Sequence, residues 1–179
     1  MEVRPLQESD DRSTFRSGNP ELDRFFSQYA GQNQFRHHLG TTYVAVEHGS
    51  IQGYVTVAAG SIETESLPDT IRHKVPRYPL PVLRLARLAV EASAKNRGVG
   101  TVLLRHVFLL ARKLDDGFGC VGIVVDAKDD AVDYYAKFGF TSLHPTEGQI
   151  GAGPRPTPMF LPLPLVLLAL NPRPQQSSE

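Results

Sequence analysis

Cysteine is nearly absent from this chain: Cys120 is the only one among 179 residues. A lone thiol excludes an intrachain disulfide and fits a reducing compartment, so a cytoplasmic setting is expected. Cys120 opens the apolar run "CVGIVV", where it reads as a small buried residue. The six histidines and this cysteine form no paired set with metal-ligand spacing, so no metal site is expected. Long apolar runs are missing as well. The most apolar stretch, "MFLPLPLVLLAL" from Met159 to Leu170, contains two prolines and falls short of the roughly 20 residues that span a bilayer. It reads instead as a buried final strand over residues 157–168, and no membrane association is expected. The opening "MEVRPLQESDD" is charged and lacks the apolar core of a signal peptide.

Net charge is the third absence, with 19 basic and 19 acidic side chains. The balance hides an asymmetry. Residues 1–65 carry 5 basic and 9 acidic groups, residues 66–115 carry 10 and 3, and residues 116–179 carry 4 and 7. A basic middle between acidic flanks points to a polyanionic partner at one face, or to charges scattered over a solvated surface.

The patterns that are present describe one mixed α/β domain. "GNPELDRFFSQYAGQNQF" reads as a helix, with Asn19 as N-cap, Pro20 at its first position, and Leu22, Phe25, Phe26 and Tyr29 on one apolar face. "TTYVAVEHGSIQGYVTVAAGSI" reads as a hairpin turning at Glu47–Ser50. "SLPDTIRHKVPRYPLP" is a basic, proline-punctuated connector, and "PVLRLARLAVEAS" a central strand. Then follow "KNRGVG", a helix with Val99, Val102, Leu103, Val107, Leu110 and Leu114 on one stripe, the strand "CVGIVVDA", and a short helix "DDAVDYYAKFGF" ended by Gly139. Residues 1–170 are read as the domain and 171–179 as a loose tail.

"KNRGVG", Lys95–Gly100, is the stretch with chemistry in it. A glycine-rich turn between a strand and a helix leaves backbone N–H groups pointing outward, and with the helix dipole they favour phosphate oxygens. The same turn serves packing in many proteins, so the motif alone leaves both readings open. It is not a Walker loop, which ends Gly-Lys-Ser/Thr, and it lacks the third glycine of a dinucleotide fingerprint.

"RLAVEASAKNRGVGTVLLRHV", then "GIVVDA", then "YYAKFGF" resembles the GCN5-related N-acetyltransferase (GNAT) family, whose pyrophosphate loop reads Arg/Gln-x-x-Gly-x-Gly/Ala. Lys95 stands where Arg or Gln is usual. The resemblance implies a single-domain α/β GNAT fold: a mixed, mostly antiparallel sheet with a splayed pair of central parallel strands and helices on both faces. It implies acetyl-CoA as co-substrate. Leu88 and Val90 would lie on the strand that receives the pantetheine arm, and Lys95, Asn96, Arg97, Gly98, Val99, Gly100 and Thr101 at the pyrophosphate. Tyr135, four residues before Gly139, takes the position of the family's general acid, since a phenol with pKa about 10 can protonate a leaving thiolate. Tyr134 beside it has the wrong spacing.

Family membership leaves the acceptor amine open. "FRSGNPELDRFFSQYAGQN", the hairpin, "PLPVLRLARLAV" and "MFLPLPLV" are similar to the acetyltransferase toxins of bacterial toxin–antitoxin pairs, with Ser17 where cysteine is common. That similarity implies acetylation of the free α-amine of an aminoacyl-tRNA, a block of translation, a small antitoxin with a ribbon-helix-helix DNA-binding part, and a homodimer. Arg72, Lys74, Arg77, Arg84 and Arg87, with His73, are the candidate tRNA contacts, and Arg36, His37 and His38 could extend them. No general base stands out. His48 at the hairpin tip is a candidate only in principle, and an aminoacyl α-amine, partly neutral near pH 7, needs none. An acetyltransferase for small-molecule or protein amines, and a CoA-binding module without catalysis, are the competing readings.

Overall fold

The N-terminal helix begins where the sequence places it, and then departs from regular α geometry. In the computed structural model, which describes residues 1–143 and 155–171, the Asn19 side chain accepts from the N–H groups of Glu21 and Leu22 at 3.1 and 3.2 Å, and Pro20 opens α1 (Pro20–Arg24). A π-helical stretch, Phe25–Tyr29, follows before α2 (Ala30–Phe35). Its wider turn, closed by Ala30 N–H on Phe25 O, carries the inward face one residue further along. Ala30 therefore takes the buried place expected for Tyr29, which is 39% exposed and accepts from Arg24 at 3.1 Å. Upstream, β1 (Glu2–Pro5) leads into a loop in which buried Ser17 donates its hydroxyl to Asp23 at 2.5 Å and accepts from Asn19 N–H at 3.2 Å. The hydroxyl at position 17 thus builds the helix entry.

The hairpin is β2 (Thr41–Glu47) and β3 (Ser50–Ile62), antiparallel, with Glu47 opposite Ser50. His48 and Gly49 both have positive φ, 50° and 77°, the backbone of a type I′ turn. The connector holds a short helix, α3 (Asp69–Arg72), before β4 (Leu80–Val90). The long helix α4 (Val99–Phe118) buries Val99, Leu103, Leu104, Val107, Phe108 and Ala111. Val102, expected on the inner stripe, is 37% exposed. The remaining elements are β5 (Gly122–Ala127), α5 (Val132–Ala136), β6 (Thr141–Ser142), β7 (Thr157–Pro162) and α6 (Leu163–Leu170). The strands form one mixed, mostly antiparallel seven-stranded sheet in the order β1-β2-β3-β4-β5-β7-β6.

The closing apolar run corrects the expectation of a strand over 157–168. It pairs with β5 only through Pro162, then turns helical. Pro162 and Pro164 stand at the helix entry, where a missing N–H costs nothing and a fixed φ suits the first turn. The leucines and alanine that follow are strong helix formers, with Val166 the only β-branched residue among them. Residues 172–179 of the expected tail lie outside the described residues. Among those described, no helix is long and apolar enough to cross a membrane.

Two compact units divide the chain, Met1–Ala59 with Arg84–Val107, and Gly60–Leu83 with Phe108–Glu179. The first is built on aromatic stacking. Phe26 lies flat on Tyr54, ring centroids 4.3 Å apart, and Phe15 meets both rings edge-on. Such pairs contribute about 0.5–1.5 kcal/mol each beyond area burial. Tyr54 has its buried hydroxyl satisfied by Leu22 O at 2.8 Å, and burial pushes its phenol well above the usual range. The second unit centres on Ile62, Leu67, Leu80, Val82, Val124, Leu143 and Phe160.

Gly53 fixes how closely α4 approaches the strands of the first unit. A Cβ there would stand 2.9 Å from Ala89 O, 2.9 Å from Val99 Cγ1 and 3.0 Å from Leu103 Cδ1. Overpacking of this kind costs about 1–3 kcal/mol. Gly53→Val is expected to lower Tm by roughly 5 °C, at about 2–4 °C per kcal/mol for a chain of this size. Thermal denaturation checks it, and an unchanged Tm contradicts the close approach.

Candidate active site

The phosphate-type loop is held from both sides. At the end of β4, Glu91 N–H donates to Gln52 O at 2.8 Å, Ala92 N–H donates to Arg16 O at 2.7 Å, and the Glu91 carboxylate accepts from Arg16 N–H at 2.8 Å. A 3₁₀ turn, Ala92–Ala94, buries Ala94 and leads to Lys95. Asn96 and Gly98 then take left-handed backbone, φ 63° and 81°, and Val99 anchors the start of α4 in the core. Leu88 and Val90 on β4 are half-buried.

The first backbone donor of α4 to reach an intrahelical acceptor is Val102 N–H, on Gly98 O at 3.0 Å. The N–H groups of Val99, Gly100 and Thr101 therefore have no carbonyl four residues back inside the helix. Gly98 sits in the N-cap position and has no side chain to accept from them. A Cβ on Gly98 would meet nothing within 4 Å, so the space beside Gly98 itself is open. Unpaired donors, the positive end of a 20-residue helix and an open approach suit a phosphate group.

The two cations of the loop are placed differently. Arg97 donates to Glu47 on β2 at 2.5 Å in a half-exposed ion pair. Lys95 is exposed, and its Nζ lies 3.6 Å from where a side chain at Gly18, φ 88°, would begin. Glu47, Glu91 and the Arg16–Gly18 segment are parts of the loop's setting that the sequence reading missed. Glu47 is 50 residues from Arg97, and no spacing rule connects them.

Tyr135 lies on α5, preceded by a 3₁₀ turn, Asp129–Ala131. Its carbonyl accepts from Phe138 N–H at 3.0 Å and Phe140 N–H at 3.3 Å, and Gly139, φ 93°, completes the reversal. The backbone of "YAKFGF" is thereby fixed, and the Tyr135 ring, 5% exposed, stands edge-on to Phe140 and to Tyr134 at centroid distances of 5.4 and 5.2 Å. Burial, with a smaller contribution from Tyr134, holds the Tyr135 phenol above its ordinary value. Tyr134 packs edge-on to Phe138 at 5.2 Å, its hydroxyl is buried without a hydrogen-bond partner among the described residues, and burial pushes its pKa up to about 12.

The cations singled out for a polyanion are not equivalent. Lys74 and Arg77 are exposed, while Arg72 is paired with Asp69 at 2.5 Å. Arg84 is half-buried on β4. Arg87 lies over the ring of Phe25, its guanidinium carbon 3.8 Å from the centroid, a cation–π contact within the core of the first unit. His48 is exposed at the hairpin tip.

A mixed sheet, with an amide-presenting loop between β4 and α4 in the first unit and a buried tyrosine on the helix after β5 in the second, is compatible with an acyltransferase of the acetyl-CoA type. Residues 38–142 match the family model for the acetyltransferase (GNAT) domain. The chain is 33% identical over 147 residues to a tRNA-acetylating toxin of Mycobacterium tuberculosis, covering 80% of this chain and 86% of that protein. The chain belongs to the GNAT family of N-acetyltransferases, enzymes that draw the acetyl group from acetyl-CoA. Among solved structures it is similar to a bacterial toxin, with TM-score 0.85 and 24% identity over 98% of this chain and 97% of that one. It is similar also to the toxin AtaT complexed with acetyl-methionyl-tRNAfMet, with TM-score 0.79 and 21% identity over 95% and 99% of the two chains. At these identities the structural neighbours speak for the fold.

Gly98 tests the loop most sharply. Gly98→Val forces a β-branched residue into left-handed backbone, at a cost of about 1–2 kcal/mol, and fills the open approach. The expected outcome is a KM for acetyl-CoA raised about ten-fold or more, with a smaller change in kcat. Steady-state kinetics checks it, and an unchanged KM contradicts phosphate binding here.

Proposed function

We propose that this enzyme acetylates the free α-amine of an aminoacyl-tRNA and so blocks translation, as a toxin neutralised by a cognate antitoxin. The observation that carries the reading is the 33% identity to the Mycobacterium tuberculosis tRNA-acetylating toxin across four fifths of the chain. Structural relatives add support: AtaT with acetyl-methionyl-tRNAfMet, AtaT with the C-terminus of the antitoxin AtaR, and an AtaT–AtaR complex bound to DNA. A homodimer, an antitoxin with a ribbon-helix-helix part and a cytoplasmic setting belong to the same proposal.

The chemistry needs few groups. The neutral fraction of an aminoacyl α-amine attacks the thioester carbonyl of acetyl-CoA. The C–N bond forms, the C–S bond breaks, the amine proton passes to water, and the departing thiolate needs a proton. In this proposal Tyr135 supplies it. A thiol has a pKa of about 8.5 and a phenol about 10, so full transfer is uphill by about 2 kcal/mol even before burial raises the phenol. Tyr135 therefore acts first as a hydrogen-bond donor to the charge developing on sulfur, and proton exchange with water completes the step. The N–H groups of Val99, Gly100 and Thr101 would hold the pyrophosphate, with Lys95, Asn96, Arg97 and Gly98 shaping the turn, and Leu88 and Val90 would flank the pantetheine arm.

The wild-type chain with acetyl-CoA is expected to stop a cell-free translation reaction, and Tyr135→Phe to lower the acetylation rate about 100-fold or more, within the usual range for a general acid. Rapid acetylation of polyamines or lysine peptides with charged tRNA left untouched would overturn the reading. Because the phenol is held above its ordinary value by burial, it keeps its proton through neutral and mildly alkaline pH. The rate is expected to rise as the amine deprotonates, with any fall assigned to Tyr135 appearing only above about pH 10; a Tyr135-dependent fall below pH 9 contradicts this.

Lys74, Arg77, Arg72, Arg84 and Arg87 are the proposed tRNA contacts, and their surroundings rank them. Lys74→Glu and Arg77→Glu are expected to raise KM for charged tRNA several-fold and flatten its salt dependence, with KM for acetyl-CoA unchanged. Arg72→Glu has a smaller effect, because Asp69 already offsets its charge. Equal loss of both affinities in each variant counts against the assignment.

A further inference from the structure

One side chain of the basic connector has no part in phosphate contact or in the core. Tyr78 is 58% exposed, yet the backbone beneath it is not loose. The buried Thr64 hydroxyl donates to Pro76 O at 2.8 Å and to Tyr78 O at 3.2 Å. Leu67 and Leu80 are buried in the core of the second unit, with Ile71 and Val75 packed against it, so the connector is pinned from below along its length. Pro76, Pro79 and Pro81 restrict φ at intervals around the tyrosine. The ring is thus held outward on a stiff support, with exposed Lys74 and Arg77 beside it in the chain.

The charge near the ring is mixed. Asp69 pairs with Arg72, and exposed Glu63 and Glu65 flank Thr64. A duplex backbone, whose affinity comes from concentrated positive charge, finds little to grip here. A fixed, exposed aromatic that adjoins an arginine in the chain is instead suited to stacking an unpaired base.

We propose that Tyr78 is a stacking platform for an unpaired RNA base, with Lys74 and Arg77 on the adjoining phosphates. The inference rests on the tRNA reading and adds which part of the acceptor is held here: the single-stranded 3′ end that carries the aminoacyl ester, rather than the paired stem.

The test compares wild type, Tyr78→Phe and Tyr78→Leu by fluorescence anisotropy with two labelled RNAs, a short single strand ending in CCA and the same strand paired in a duplex. Stacking predicts that Tyr78→Phe binds the single strand within two-fold of wild type, and that Tyr78→Leu loses about ten-fold on the single strand with little change on the duplex. Matching melting temperatures establish that the variants are folded. Equal single-strand affinity of Tyr78→Leu and wild type, equal losses on both RNAs, or no single-strand binding by wild type overturns the proposal. Acetylation of charged tRNA is scored separately. If the stacking pattern holds and wild type leaves charged tRNA unmodified, the toxin reading fails while the platform stands.

Discussion

A helix whose N-cap is glycine begins with backbone donors that its own chain cannot satisfy, and the site in the first unit follows from that fact. At Gly98 the chain gives up the side chain that would normally accept from the next N–H groups, and the N–H groups of Val99, Gly100 and Thr101 are left without an acceptor inside the helix. A buried orphan donor costs about 1–3 kcal/mol, so such groups are kept in reach of water or of a ligand that accepts from them. The left-handed backbone at Asn96 and Gly98, the buried anchors Ala94 and Val99, and the contacts of Glu91 with Arg16 and Gln52 hold the donors in a fixed array. Charge is secondary in this arrangement. Arg97 is already engaged by Glu47, so its charge is partly offset within the chain.

Behind the loop, the hairpin and the first helices set how near α4 can come. The stack of Phe26 on Tyr54, the edge contacts of Phe15 and the Tyr54–Leu22 hydrogen bond tie α1 and the π-helical stretch to β3. Gly53 on the same strand removes the one Cβ that would push Val99 and Leu103 away. In the second unit the same economy appears around Tyr135. Its backbone is closed by Gly139 and its ring is buried against aromatic neighbours, and that burial holds the phenol above its ordinary value.

Much of this was legible in the sequence, and the failures have physical causes. Asn19–Pro20, the turn at His48–Gly49 and the Gly139 stop were readable because each demands a particular backbone at one position. "KNRGVG" and "YYAKFGF" stood out as site candidates because the chemistry they suggest is local to a few residues. Tyr29 was placed on the wrong face since a π turn shifts the period and leaves no composition signal. Val102 was misassigned within a helix whose apolar residues exceed what one face can bury. The closing run was read as strand throughout because a short apolar stretch has no period of its own, and the two prolines marked a helix start within it. Long-range pairs such as Arg97–Glu47, and the support of Tyr78 by Thr64, lie outside what spacing can express.

In the proposed reading, backbone amides rather than side-chain charge grip the phosphates of acetyl-CoA. Amide chemical shifts of the ¹⁵N-labelled protein, followed during titration with CoA, test it most directly. The N–H signals of Val99, Gly100 and Thr101 are expected to move downfield together at saturation, in Arg97→Ala as well as in wild type. CoA binding that leaves these three signals in place, or that vanishes when Arg97 alone is removed, would contradict it.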